Sequence, residues 1–262
     1  MVRYVFKRFL AMIATLYLII TITFFLMHAI PGGPFTLEKN VAPEVKEAMM
    51  QKYHLNEPVF AQYLNYLKRL FFRFDLGPSF KYEGMSVNKL IGMGFPVSSK
   101  VGFLAVLMVI AVGIPIGIAA AVYANRLPDR IAMFAATLGI TIPSFVVSTV
   151  LLYIFSLKLG WLPTYGLESR KGYILPVLAL GGYALSFISR LSRSSYLDVM
   201  QQDYMLLAKA KGLHSSRITI HYGLRNALIP VVTMLGPLIA NLLTGSFVIE
   251  KVFALPGIGK YF

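Results

Sequence analysis

The sequence predicts an all-helical, polytopic membrane protein. Hydrophobic residues make up 57% of its 262 positions and charged residues only 14%, more apolar surface than a soluble chain of this length needs. The apolar residues also gather into runs long enough to cross a bilayer. A hydrocarbon core of about 30 Å asks for about 20 residues of helix. The formal charge of +14 comes from Lys and Arg that sit mainly between these runs, as expected of loops facing anionic lipid. Nucleic-acid binding is not expected from this arrangement. With no cysteine, the chain has no disulfide framework, thiolate metal site or cysteine nucleophile.

The first span is Phe9–Ile30, entered after Arg3, Lys7 and Arg8. It is too long for a signal peptide, and Pro31-Gly-Gly-Pro34 is no small-x-small cleavage site, so a retained helix is expected. The second span is about Val97–Ala124, the third about Ile131–Leu159, the fourth about Tyr173–Arg190 and the fifth about Ala227–Ile249. Only Asn125–Arg130 separates the second from the third, which predicts a tight helical hairpin. The fourth is short and contains Gly181 and Gly182, which suggests a tilted or irregular helix lining an enclosed space.

With the N-terminus inside, segments 1–8, 125–130 and 190–226 are cytoplasmic and hold eleven Lys and Arg. The short outer segments hold five. The loop at 31–100 is set aside, because loops beyond about 60 residues cross largely regardless of charge. Within it, Ala42–Tyr53 and Pro58–Phe74 have helical spacing, and Tyr63, Tyr66, Leu67, Leu70 and Phe71 can share one face. This loop is either an outer cap that meets a partner or a segment merely packed on the helix ends. The chain therefore divides into 1–30, an N-terminus with the first helix; 31–96, an external loop with short helices; and 97–262, a core containing an inner loop at 191–226.

That inner loop is the most informative segment. It reads Asp203-Tyr-Met-Leu-Leu-Ala-Lys-Ala-Lys-Gly-Leu213. Met200–Lys211 is free of Pro and Gly and predicts a helix. Gly212 is placed to end it in a left-handed cap. Ser215 or Ser216 can cap a second helix running toward Asn226. A plain lipid-facing loop would not need two helical stretches.

This pattern resembles the coupling loop of ABC-importer permeases, specifically the oligopeptide/dipeptide permease family. Gly245-Ser-Phe-Val-Ile-Glu250, Phe253 and Leu255-Pro-Gly-Ile-Gly259 are similar to the run at the outer end of that family's fifth helix. Tyr53–Pro58, Asp75–Ser79 and Phe95–Val97 resemble its segments between the first two helices. The general motif carries Glu-Ala-Ala where this chain has Leu206, Leu207 and Ala208, so no acidic salt-bridge role is assigned. The family usually continues into a sixth helix. This chain stops at Phe262, so five spans are expected, with the sixth missing through truncation and an apolar groove left open.

The resemblance implies the type I ABC importer permease fold in a bacterial-type inner membrane, with the N-terminus cytoplasmic. It implies a second homologous permease, two cytoplasmic ATPase subunits, an external solute-binding protein and a peptide substrate. Oligopeptides are the first expectation; dipeptides, nickel chelates and glutathione remain open. ATP and magnesium belong to the partner subunits, since no Gly-x-x-x-x-Gly-Lys-Ser/Thr is present here, and the chain itself carries no cofactor. Ala208, Lys209, Ala210, Lys211, Gly212, Leu213 and Arg217 are the expected ATPase-coupling residues. Pro143, Ser144, Gly181, Gly182, Asn241 and Ser246 are candidates for lining the pathway.

Other residues carry simpler expectations. Glu250, read as the one acid adjoining a span, is expected to reach water or pair with Lys251. Arg190 and Arg193 are expected to snorkel at a helix end. The histidines lack metal-binding spacing. No Ser–His constellation is readable, so no catalysis is expected. An ion-coupled carrier and a non-transporting sensor are the rival classes; binding of a nucleotide-hydrolysing subunit at the Gly212 loop discriminates against the first, and solute flux against the second.

Overall fold

The computed structural model describes residues 1–29, 51, 56–79, 81–82, 85–214 and 217–261, with the Lys209 side chain excepted. The expected helix at Ala42–Tyr53, apart from Gln51, and the caps at Ser215 and Ser216 lie outside the described residues. Among the described residues, regular structure is helical apart from one isolated bridge between Pro78 and Ser86. The chain forms two compact units, Met1–Leu90 and Ile91–Phe262.

In the first unit, α1 (Val2–Ala29) is a single apolar helix with no buried residue. Its Tyr17, Thr21, Phe24 and His28 recur at helical spacing and meet α2 (Val59–Arg73). Thr21 and Tyr63 share a 2.7 Å hydrogen bond, the Tyr63 hydroxyl donates to Tyr17 at 3.0 Å, and His28 Nε2 lies 3.1 Å from Gln62. Phe24 packs on both Tyr63 and Tyr66. The shared face expected on α2 holds for Tyr63, which is buried, but Phe71 is exposed. Phe74 ends α2 in the left-handed conformation at φ 51°.

The second unit contains the remaining spans. α3 (Val87–Met108) passes through a π turn at Val109–Gly113 into α4 (Ile114–Val122). Pro115 explains the π turn: it has no N–H to donate, and its ring clashes with the carbonyl four residues back, at Ala111. α5 (Leu127–Thr141) and α6 (Ser144–Leu151, continued as a π turn to Lys158) meet at a 109° bend. The span expected at Ile131–Leu159 is thus a broken one. Pro143 drives Ile142 into extended backbone, with ψ at 125°, and ends α5 there.

The fourth span is also corrected. α7 runs from Ile174 to Met200 as one uninterrupted helix, and Gly181 and Gly182 do not disturb it. α8 (Asp203–Ala210) follows, then a π turn at Ile218–Leu224 that enters α9 (Arg225–Thr244) directly. The expected second loop helix is therefore the start of the last long span rather than a separate element. α10 (Phe247–Val252) and a 3₁₀ turn at Ile258–Tyr261 complete the described chain. Among the described residues, four helices are long and apolar enough to cross a membrane, or five if α5 and α6 count as one span.

α7 is the hub of this unit. Its buried Ala184 and Ile188 form one core with Ala105, Val106, Val109, Val231 and Leu242. Leu175 and Ala179 form a second with Val101, Ile249, Phe253 and Leu255. Backbones approach closely where residues are small: a Cβ on Gly117 would collide with the Ser189 carbonyl. Dispersion over such close-packed surfaces holds helices together where lipid removes the hydrophobic drive.

Candidate functional site

The segment between α7 and α9 is a short helix, a glycine turn and the π turn that opens α9. Asp203 sits in the first turn of α8, where a carboxylate complements the helix dipole. The helix ends at Ala210. Gly212 adopts φ +69°, the left-handed conformation that the sequence predicts. The Leu213 N–H returns to the Ala208 carbonyl at 3.4 Å, and the Lys211 N–H to Leu207 at 3.0 Å, which satisfies carbonyls the helix end would leave bare. The carbonyl of His214 accepts the N–H groups of Arg217 and Ile218 at 2.9 and 3.1 Å, opening the next helical run.

The two faces of α8 differ. Met205 and Ala208 are buried against Ile218, with Val199, Met200 and Leu213 packed around them. Leu206 and Leu207 are 58% and 56% exposed, and Ala210, Lys211, Gly212 and Arg217 are exposed with them. Of the expected coupling residues, Ala208 and Leu213 thus hold the turn together, while Ala210, Lys211 and Arg217 present a surface. Leu206 and Leu207 join that surface. Sequence reading passed over them as mere departures from a motif; two adjacent leucines in a polar loop were the available signal.

This turn is fixed to the spans on both sides. Tyr196 of α7 is buried with Ala121 of α4 and Ala227 of α9. A Cβ on Gly223 would stand 2.9 Å from the Tyr196 ring, so the π turn lies flat on that aromatic face. Asn226 Nδ2 donates to the Tyr204 hydroxyl at 3.0 Å, joining the start of α9 to α8. α8 is therefore in contact with both α7 and α9.

Two polar arrangements went unread in the sequence. Arg193 of α7 donates from Nε and Nη2 to the two carboxylate oxygens of Asp129 on α5, at 2.6 and 2.7 Å. Asp129 also accepts the Asn125 N–H at 2.7 Å and is buried. Arg193 does not snorkel, which corrects that expectation: its partner is inside the protein. Glu250 was not the one acid beside a span, because Asp129 opens α5. An acid one residue after Pro128, at a helix start, was the missed signal.

Glu250 is itself buried, which corrects the expectation of water or Lys251. The Ser98 hydroxyl donates to its Oε1 at 2.6 Å and the Gly259 N–H donates to Oε2 at 2.6 Å. The Ile258 N–H in turn donates to Ser98 Oγ at 2.8 Å. Lys251 instead lies over the Phe247 ring, 5.4 Å from its centre. Gly245 and Gly257 press on the carboxylate with no room for a Cβ. The glycine-rich run after Glu250 is thus the mould around one buried carboxylate.

The six pathway candidates are not brought together. Gly181 is buried against Ala105 and Met108, a packing role. Ser246 caps α10 by accepting the Ile249 N–H. Pro143 and Ser144 are exposed at the α5–α6 bend, Asn241 is exposed on α9, and Gly182 is half-buried with open space beside it.

Comparison with known proteins agrees with this architecture. Residues 113–262 match the family model "Binding-protein-dependent transport system inner membrane component", and residues 1–101 match its N-terminal counterpart. The chain is 45% identical over its full length to the dipeptide transport system permease protein DppB of Bacillus subtilis, covering 85% of that protein. It is also 45% identical over its full length to the oligopeptide transport system permease protein OppB of Haemophilus influenzae, covering 86%. The glutathione transport system permease protein GsiC of Salmonella choleraesuis is 39% identical over 99% of the chain and 85% of that relative. The chain belongs to the binding-protein-dependent transport system inner membrane component family, the permease subunits of ABC importers.

Proposed function

We propose that this permease forms half of a peptide-translocation pathway and takes its drive from ATPase subunits that dock on α8 and the Gly212 turn. One observation carries the reading. α8 is buried on its Met205–Ala208 face and bare on its Leu206–Leu207–Ala210–Lys211 face, so it is held rigidly from within and offered outward. ATP and magnesium act on the partner subunits. When those subunits close, the push enters at α8, passes through Tyr196 and Gly223 into α7 and α9, and tilts the spans that border the pathway.

The charge bias supports an N-terminus in the cytoplasm, which brings α8 to the ATPase side. A second, homologous permease completes the pathway, and an external binding protein delivers the solute. Peptides are the proposed substrate class because the relatives are named for oligopeptides, dipeptides and glutathione, all of them peptidic. Oligopeptides are the first of these to test.

The chain has no native cysteine, so a single Ala210→Cys gives an unambiguous cross-linking probe on the bare face. In the assembled complex this position should form an adduct with an ATPase subunit. Reaction with lipid probes alone, in a complex that retains its ATPases, would remove α8 as the docking site.

A further inference from the structure

A cavity of about 670 Å³ opens between α5 and α7, beside the Asp129–Arg193 pair. Its lining changes character along its length. At one end stand Arg130 and Arg190, both exposed and with no ion pair among the described residues. Asp129, the one acid in the lining, is held by Arg193 and also feels the charge of Arg130, so three guanidinium groups face one carboxylate and this end keeps a net positive charge. Away from that end the wall runs through Met133, Thr137, Ile140 and Phe187, with the Thr137 hydroxyl turned back onto the Met133 carbonyl. Arg130 and Ile140 lie ten residues apart on α5, about 15 Å along the axis.

We propose that this cavity is a binding site for an anionic phospholipid, with its phosphate between Arg130 and Arg190 and an acyl chain along Met133, Ile140 and Phe187. Charge and polarity together select that occupant. Guanidinium planes match phosphate oxygens in pairs. A free anion would leave the apolar end unfilled, and an acidic protein loop would bury polar backbone against it. An amphiphile satisfies both ends at once, as basic pockets between membrane helices do for anionic head groups. The Asp129–Arg193 pair fixes α5 to α7 and so holds Arg130 and Arg190 in register. Assignment to the cytoplasmic leaflet rests on the orientation proposed above; the binding itself does not.

The test is titration of a fluorescent short-chain phosphatidylglycerol into the delipidated, assembled transporter, with phosphatidylcholine and inorganic phosphate as competitors. Phosphatidylglycerol should bind saturably, and neither competitor should displace it. The Arg130→Gln/Arg190→Gln pair should bind it about 30-fold more weakly, and the Lys pair should fall between the two, keeping the charge but losing the paired contact. Both side chains are exposed, so the melting temperature should not move, and that control separates lost binding from lost folding. Undiminished binding by the Gln pair would overturn the proposal. So would displacement by inorganic phosphate, which would make this a free-anion site. Loss of peptide uptake with lipid affinity intact would overturn it as well, by assigning the arginines to the pathway. If ATP-driven import fails altogether yet lipid binding follows the arginines, this site stands and the transport reading falls.

Discussion

Gly212 is the residue on which the coupling account turns. At φ +69° a β-branched side chain is strained by roughly 1–2 kcal/mol, and the cap bonds to Leu207 and Ala208 are misplaced. Gly212→Val should leave ATP hydrolysis running while uptake per ATP falls, as read from both rates in one preparation. Asp129 makes a different prediction. Removing one partner of a buried pair leaves the other uncompensated, so Asp129→Ala should destabilise the permease by about 3 kcal/mol, less what solvent recovers at half-buried Arg193. Thermal denaturation in detergent measures it, and an unchanged midpoint would show the pair to be incidental. Glu250→Gln replaces an acceptor oxygen with an NH₂ in a pocket whose other polar groups donate. The expected loss is about 1–3 kcal/mol of stability, with Ser98 and Gly259 the groups left unmatched. The left-handed glycine was legible in the sequence because its conformation follows from local chain chemistry. Asp129–Arg193 and Ser98–Glu250 were not, because each joins residues 64 or 152 positions apart that only packing brings together.

At the scale of elements, α8 has an inward face and an outward face, and they should respond differently. Ala208→Leu overfills the contact with Met205 and Ile218 and should cost about 1–3 kcal/mol of stability. Leu206→Ser with Leu207→Ser should leave the melting temperature nearly unchanged but weaken co-purification of the ATPases. If the exposed pair proves dispensable for that association, α8 is not the docking element. The spans show where pattern reading succeeds. Apolar runs located α1, α3–α4, α7 and α9 because composition alone fixes where a chain can cross lipid. Their internal breaks were less readable. Pro143 and Pro115 stand at those breaks, but whether a proline gives a 109° bend or a π turn depends on the neighbours that take up the freed carbonyls. The pathway candidates were read from residue type alone, and Gly181 turned out to serve helix contact.

For the whole molecule, the family follows from the full-length relatedness and the helical core, and the proposed coupling follows from the way one turn is tied to three spans. The proposed lever rests on those ties: the Gly212 turn is closed by its own hydrogen bonds, and Tyr196 packs between α4, α7 and α9. A lever of this kind predicts that flux and hydrolysis are linked through a fixed ratio in the intact complex. The most direct measurement is labelled-peptide uptake per ATP hydrolysed in proteoliposomes holding the permease with its partner permease, ATPases and binding protein, for wild type and Gly212→Val. Wild type should accumulate peptide only with ATP, and Gly212→Val should hydrolyse ATP with little accumulation. Uptake that ignores ATP, or an unchanged ratio in the variant, would contradict the account.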